Sequence, residues 1–275
     1  MPIIENGFIG FAPPLLGHQP VKLETIFEKG EWIAIEKPQQ LSIRPISEPE
    51  NTSPINIENA IQAKIREARP SLDRSGFRSD YRPKSIFSID AEMHGFGLWA
   101  LNDKKLEAFR NDYGSGYFLF EYEFLARDHT NSGEEFSVNL PIARHLQDPR
   151  RYVVSTSTGK KSETTFLKIK QWPEAQVALW TATTRRARGH QIRLHAQECG
   201  LTILGESLYG ADKGISLLDL KKRHISKRDH ASTPLWSGLN ARMGFLKSRH
   251  AGEFEIRFPR PPSMKTLIRK LDQFS

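Results

Sequence analysis

Tyr117-Phe118-Leu119-Phe120-Glu121-Tyr122-Glu123-Phe124-Leu125-Ala126 alternates along its whole length. Phe118, Phe120, Tyr122, Phe124 and Ala126 share one face, and Tyr117, Leu119, Glu121, Glu123 and Leu125 the other, the period of two that side chains follow along a strand. The first of these faces is the one expected to be buried. Downstream, residues 164–172 and 175–184 are two further strands joined at Pro173-Glu174, and residues 253–258 are another. Upstream, residues 85–89 and 97–101 are short strands on either side of the polar connection Asp90-Ala91-Glu92-Met93-His94-Gly95, and residues 21–27 and 32–36 form a hairpin across Glu28-Lys29-Gly30-Glu31.

Helical spacing appears between these runs. Ile55, Ile57, Ala60, Ile61 and Ile65 recur at helical intervals until Pro70 stops the run. Asn102 is placed to cap a helix through residues 104–109, residues 189–198 fit a helix, and residues 262–273 fit another with Ser263 as its cap. Residues 69–84, rich in Arg, Asp, Ser and Pro, read as a long surface loop. Strands in hairpin order with a few helices between them predict an α+β fold around a central, mostly antiparallel sheet; a regular βαβ alternation is absent.

The chain has 275 residues, 38% hydrophobic and 26% charged, which suffices for a sizeable core and excludes a fibre or a disordered tail. No apolar run reaches the ~18 residues of a membrane span, and mean hydropathy is −0.52. One cysteine, Cys199, offers neither an internal disulfide nor a four-ligand zinc site. The N-terminus lacks a signal-peptide pattern, so a cytoplasmic protein is expected. Forty Lys and Arg against 32 Asp and Glu give +8, which favours a polyanionic partner.

The densest basic stretch is Arg185-Arg186-Ala187-Arg188-Gly189-His190-Gln191-Ile192-Arg193-Leu194-His195. Four guanidinium forks and two imidazoles in eleven residues suit an anion site, although a solvated strand-to-helix corner has the same composition. His190 and His195 are five residues apart, about 140° around a helix, so they diverge where zinc-binding pairs at i, i+4 converge. No metal is expected. Gly-x-Ser-x-Gly and phosphate-loop patterns are absent, and Gly95-Phe96-Gly97 lacks the third glycine of a dinucleotide fingerprint.

Several segments in order resemble the RluA branch of the pseudouridine synthases. They are residues 32–38 ending in Lys37-Pro38, Ser85-Ile86-Phe87-Ser88-Ile89-Asp90 with Gly95 and Gly97, Glu121-Tyr122, Pro141-Ile142-Ala143-Arg144-His145, Gly159-Lys160 and Thr164. Arg188-Gly189-His190-Gln191-Ile192-Arg193-Leu194-His195, Gly205-Glu206-Ser207-Leu208-Tyr209-Gly210 and residues 252–271 complete the series. The resemblance covers about residues 21–272. It implies the pseudouridine-synthase fold with a catalytic cleft across the bent sheet, residues 21–275 as one catalytic domain after an extension of residues 1–20, and no separate N-terminal RNA-binding module. It implies isomerisation of uridine in structured RNA, rRNA or tRNA, with no cofactor and no membrane contact, by a protein expected to be a monomer.

By resemblance, Asp90 takes the nucleophile's position, Tyr122 that of the aromatic that packs on the target base, and Arg193 that of the arginine paired with the nucleophile. Arg185, Arg186, Arg188, His190, Lys160 and Arg144 are the expected RNA contacts. A carboxylate can attack the ribose or the pyrimidine, a neighbouring arginine keeps it ionised, and the target base must leave its stack to be reached. The chain departs from the family where Phe87-Ser88-Ile89-Asp90 stands in place of His-Arg-Leu-Asp: the arginine that fills the gap left by the flipped base is Ser88 here. Three readings follow. Arg82, Lys84 or His94 replaces the wedge; the substrate uridine is already unstacked; or the chain binds RNA without isomerising it. A carboxylate-dependent glycosidic hydrolase is a weaker alternative, since it needs a second acid such as Glu92 beside Asp90.

Overall fold

The computed structural model describes residues 4–28, 30–44, 55–67, 82–129, 133–220, 234–236, 238–249 and 253–274. They fall into two compact units: Met1–Leu119 with Arg185–Ala187 and Phe245–Phe258, and Phe120–Thr184 with Arg188–Gly244 and Pro259–Ser275.

The first unit is built on β1 (Ile4–Phe11), β2 (Val21–Glu28), β3 (Trp32–Lys37), β4 (Lys84–Ser85) and β5 (Gly95–Ala100), with α1 (Ile57–Glu67) and α2 (Asp103–Ser115). The strands form one antiparallel sheet in the order β1-β2-β3-β5-β4. Within the segment before Val21, Ile4 to Phe11 pairs residue by residue with Glu28 to Val21. Asn6, Gly7 and Gly10 interrupt its apolar pattern and hide the strand in the sequence. Residues 86–89, expected as strand, leave the ladder after Ser85. Asn102 caps α2 as its position predicts, its side chain accepting from the Lys105 N–H at 2.8 Å. A Cβ on Gly97 would come within 2.4 Å of the Trp99 ring, so the sheet needs glycine there.

The second unit holds most of β6 (Phe118–Asp128), then β7 (Glu135–Asn139), β8 (Ile142–Arg144), β9 (Tyr152–Val154), β10 (Glu163–Trp172), β11 (Val177–Thr184) and α3 (Gln191–Glu198). β12 (Leu201–Ile203), α4 (Leu217–Leu220), part of β13 (Ala241–Ser248) and α5 (Pro262–Phe274) follow. Strands run β6-β11-β10-β7, all antiparallel, with β12 on β6 and β8–β9 as a separate hairpin. Phe120, Tyr122, Phe124 and Ala126 are buried, the face that alternation in β6 predicts. Leu267 and Leu271 of α5 pack with Trp172, Leu179, Leu204 and Trp236. α5 starts at Pro262, so Ser263 lies inside the helix and proline takes the first turn, where a missing N–H costs least. The chain then closes the first unit through β14 (Glu255–Arg257), which pairs with Phe245 to Lys247 of β13 and leads to Phe254 stacked on Trp32 at 4.9 Å and Phe258 on Phe96 at 4.8 Å.

Candidate active site

Asp90 sits in the turn between Ile89 and β5, in the first unit. Phe87 and Ile89 are buried while Ser88 between them is exposed, so the side chain that the sequence offers in place of the wedge arginine points outward. The turn is fastened to the end of β3. Lys37, fully buried, donates from Nζ to the carbonyls of Pro38 (3.0 Å), Leu41 (2.8 Å) and Ala91 (2.9 Å). The Gln40 N–H also reaches the Ala91 carbonyl at 2.7 Å, and Gln39 Nε2 the Glu92 carbonyl at 3.1 Å. Burial drives the Lys37 ammonium down to about 7, against the charges of Asp90 and Glu92, which favour its protonated form. Arg82 and Lys84 are exposed, whereas His94 is buried, its Nε2 3.1 Å from Glu36 Oε1. His94 is thereby committed to β3: its hydrogen bond holds the Glu36 carboxyl below the ordinary carboxylate range in spite of burial.

In the second unit, Gln191 and His195 of the basic stretch fasten α3 to its neighbours. Gln191 is buried at its start, its Nε2 donating to Glu163 O, Thr164 Oγ1 and Thr184 Oγ1 at 2.9–3.0 Å while its Oε1 accepts the Arg188 N–H. One amide thus ties the helix to β10 and β11. His195 is fully buried between Thr164 Oγ1 (2.8 Å) and the Leu140 carbonyl (2.9 Å). A carbonyl only accepts, so Nε2 carries the proton, and burial keeps the ring's pKa below its ordinary value. Helix α3 begins at Gln191 rather than 189, because His190 takes a left-handed φ of 53°. A Cβ on Gly189 would meet the Tyr152 ring at 2.3 Å, so that position is closed to any side chain.

Arg193 makes a two-point fork with Glu206, Nε to Oε2 at 2.6 Å and Nη2 to Oε1 at 2.8 Å, with both side chains 2% exposed. Burial pushes the Glu206 carboxyl up, but the Arg193 fork and the N–H groups of Leu208 and Tyr209 outweigh it and hold the group below the usual range. Nη1 of Arg193 takes no part in the fork. Its guanidinium lies over the Tyr209 ring, 5.3 Å from the centroid. The Tyr209 hydroxyl accepts the Tyr152 N–H at 2.8 Å and is 2.7 Å from His190 Nδ1.

No family model matches the chain. Among curated proteins it is 24% identical over 253 residues to the uncharacterized RNA pseudouridine synthase YlyB of Bacillus subtilis, covering 92% of this chain and 74% of that protein. It is 23% identical over 255 residues to ribosomal large subunit pseudouridine synthase D of Zymomonas mobilis, with the same coverage of 92% and 74%. To the dual-specificity RNA pseudouridine synthase RluA of Vibrio cholerae it is 23% identical over 209 residues, 74% of this chain and 76% of that one. Among solved structures, human RNA pseudouridylate synthase domain containing 4 superposes with a TM-score of 0.65 at 14% identity, over 90% of this chain and 92% of that one. Over most of its length the chain is thus similar to RNA pseudouridine synthases, RluA-type enzymes among them, and it shares the fold of a pseudouridylate synthase domain.

The expected site residues are distributed as follows. Tyr122 is buried on β6, opposite Ala182 of β11. Arg144 is exposed on β8 with its guanidinium 5.7 Å from the Tyr152 ring centroid, and Lys160, exposed as well, pairs through its backbone with Ile142. Arg185 is exposed and Arg186 Nη2 donates to Gly114 O at 3.0 Å. Arg188 is half-buried, and its Nε is buried with no hydrogen-bond partner among the described residues. His190 is held by Tyr209. The reading of the sequence passed over Glu206 as a partner for Arg193; its signal was an acid in Gly205-Glu206-Ser207-Leu208-Tyr209-Gly210, a stretch with no other carboxylate. Among the described residues no group of three His, Cys, Asp or Glu side chains is disposed to hold a metal ion, and no helix is long and apolar enough to cross a membrane.

Proposed function

We propose that this synthase isomerises uridine to pseudouridine in structured RNA, ribosomal or transfer, with Asp90 as the nucleophile. The observation that carries the reading is similarity over 92% of the chain to RNA pseudouridine synthases, and the motif resemblance of the sequence supports Asp90, Tyr122 and Arg193 as the residues of the site. The reaction needs no external reactant. The N1–C1′ bond breaks, the uracil turns, a C5–C1′ bond forms, and the proton lost from C5 is balanced by one gained at N1. Asp90 supplies the attacking carboxylate. Tyr122 stacks on the extruded base, which recovers about 1–3 kcal/mol of the unstacking cost. Arg193 is the cation that the family pattern assigns to the nucleophile, and Glu206 fixes its guanidinium. Arg144, Lys160 and Arg188 take phosphates.

Loss of the C5 proton gives a direct assay. RNA from cells lacking the protein, labelled with tritium at uridine C5, should release tritium to water with wild type and not with Asp90→Asn. Equal release by both would remove Asp90 from the chemistry. Release by neither, with RNA still bound, would favour the binding-only reading that Ser88 in the wedge position raises.

A further inference from the structure

The hairpin β8–β9 carries a feature that neither the joint around α3 nor the Asp90 turn absorbs. Leu146 at its tip is 100% exposed. Single exposed apolar residues are common and say little. This one differs in being held out by a hydrogen-bonded turn. The His145 N–H reaches Arg151 O and the Arg151 N–H reaches Asp148 O, each at 3.0 Å. His145 Nδ1 accepts the N–H groups of Gln147 (3.1 Å) and Asp148 (3.0 Å). Asp148 accepts the Arg150 N–H and both arms of its guanidinium at 3.0 Å. The base is anchored too, through Ser155 N–H to Pro141 O, the Ile142–Lys160 bridge and the Tyr152 N–H on the Tyr209 hydroxyl. Little freedom is left to fold Leu146 back onto the protein.

The surroundings indicate what it meets. Residues 141–161 hold five cations, Arg144, Arg150, Arg151, Lys160 and Lys161, against one acid, Asp148, which Arg150 already neutralises. An apolar wedge flanked in sequence by arginines is a combination with which proteins enter nucleic-acid stacks: the cations take phosphates and the wedge slides between bases. Ser88 is too short for that work.

We propose that the β8–β9 tip is an RNA contact in which Leu146 inserts against unpaired or splayed bases while Arg144 and Arg151 hold the flanking phosphates. The proposal rests on the reading that the substrate is RNA.

Full-length protein with the photo-crosslinker benzoylphenylalanine in place of Leu146 is irradiated with end-labelled total RNA from cells lacking the protein; the same replacement at Leu218, 41% exposed on α4, is the control. RNA should be captured from position 146 and not from 218. In parallel, Leu146→Ser should weaken RNA binding and kcat/KM about tenfold, and Leu146→Phe should keep both, since burial of one leucine is worth about one decade in affinity. Because the side chain touches solvent only, neither variant endangers folding. Capture at 146 with no tritium release by wild type would keep the contact and defeat the isomerase reading. Turnover by wild type, with no capture and Leu146→Ser behaving as wild type, would overturn the contact and leave that reading standing. Capture of a protein in place of RNA would overturn it also.

Discussion

Arg193 and Glu206 face each other as a buried fork, 2.6 and 2.8 Å between paired nitrogens and oxygens, thirteen residues apart in the chain. A guanidinium so deep is tolerable only with its charge matched, because removing one partner of a buried pair strands the other. Glu206→Gln keeps the shape and one acceptor but loses the charge. Chemical denaturation should show a loss of about 3 kcal/mol, and Glu206→Ala a larger one. A change below about 0.5 kcal/mol for both would mean that Glu206 does not hold Arg193.

The same fork separates positioning from stability. If Glu206 acts by fixing Arg193, Glu206→Asp, which retains the charge on a shorter arm, should restore much of the stability lost in Glu206→Ala while lowering kcat and leaving KM within about twofold. A fall in KM alone would contradict that role.

Lys37 gives a pH prediction whose sign follows from its burial. In the unfolded chain its amine holds a proton up to its ordinary 10.5; in the fold it releases it at about 7. Between these values the unfolded state binds more protons, so this group's contribution to stability grows as pH rises and is lost as pH falls toward 7, with a slope of up to about 1.4 kcal/mol per unit. The difference in unfolding free energy between wild type and Lys37→Met should therefore increase from pH 7 to pH 9 in urea titrations, where other groups cancel. A flat difference would show that Lys37 keeps its proton throughout.

Gly205 tests the backbone beside Glu206. Its φ is +76°, and a Cβ would lie 2.0 Å from the Gly238 carbonyl oxygen, which a side-chain rotation cannot relieve. Gly205→Ala should cost at least about 2 kcal/mol. Thermal unfolding at wild-type temperature would contradict the close approach.

Much of this was legible beforehand because it rests on local rules. The alternation in residues 117–126 gives β6 and its buried face, Asn102 gives the cap of α2, and Pro173-Glu174 gives the turn between β10 and β11. What escaped depends on partners distant in sequence. β1 is recognisable only through its pairing with β2, and the short β7, β8, β9 and β12 carry too few residues for a period to register. For the candidate site, the sequence offers Asp90, Tyr122 and Arg193 through resemblance alone, and it does not show that Gln191, Gly189 and His195 serve packing and strand anchoring, nor that Lys37 holds the Asp90 turn by three carbonyls. Residues 69–81, most of the loop that the sequence marks at 69–84, lie outside the described residues.

The central claim is that Asp90 makes this chain an isomerase of a particular RNA uridine. It is tested most directly by a transcriptome-wide pseudouridine map in cells lacking the protein, and in the same cells re-supplied with wild type or with Asp90→Asn at equal abundance. The account predicts at least one ribosomal or transfer RNA site that disappears on deletion, returns with wild type and stays absent with Asp90→Asn. A map unchanged by deletion, or a site restored equally by Asp90→Asn, would contradict it.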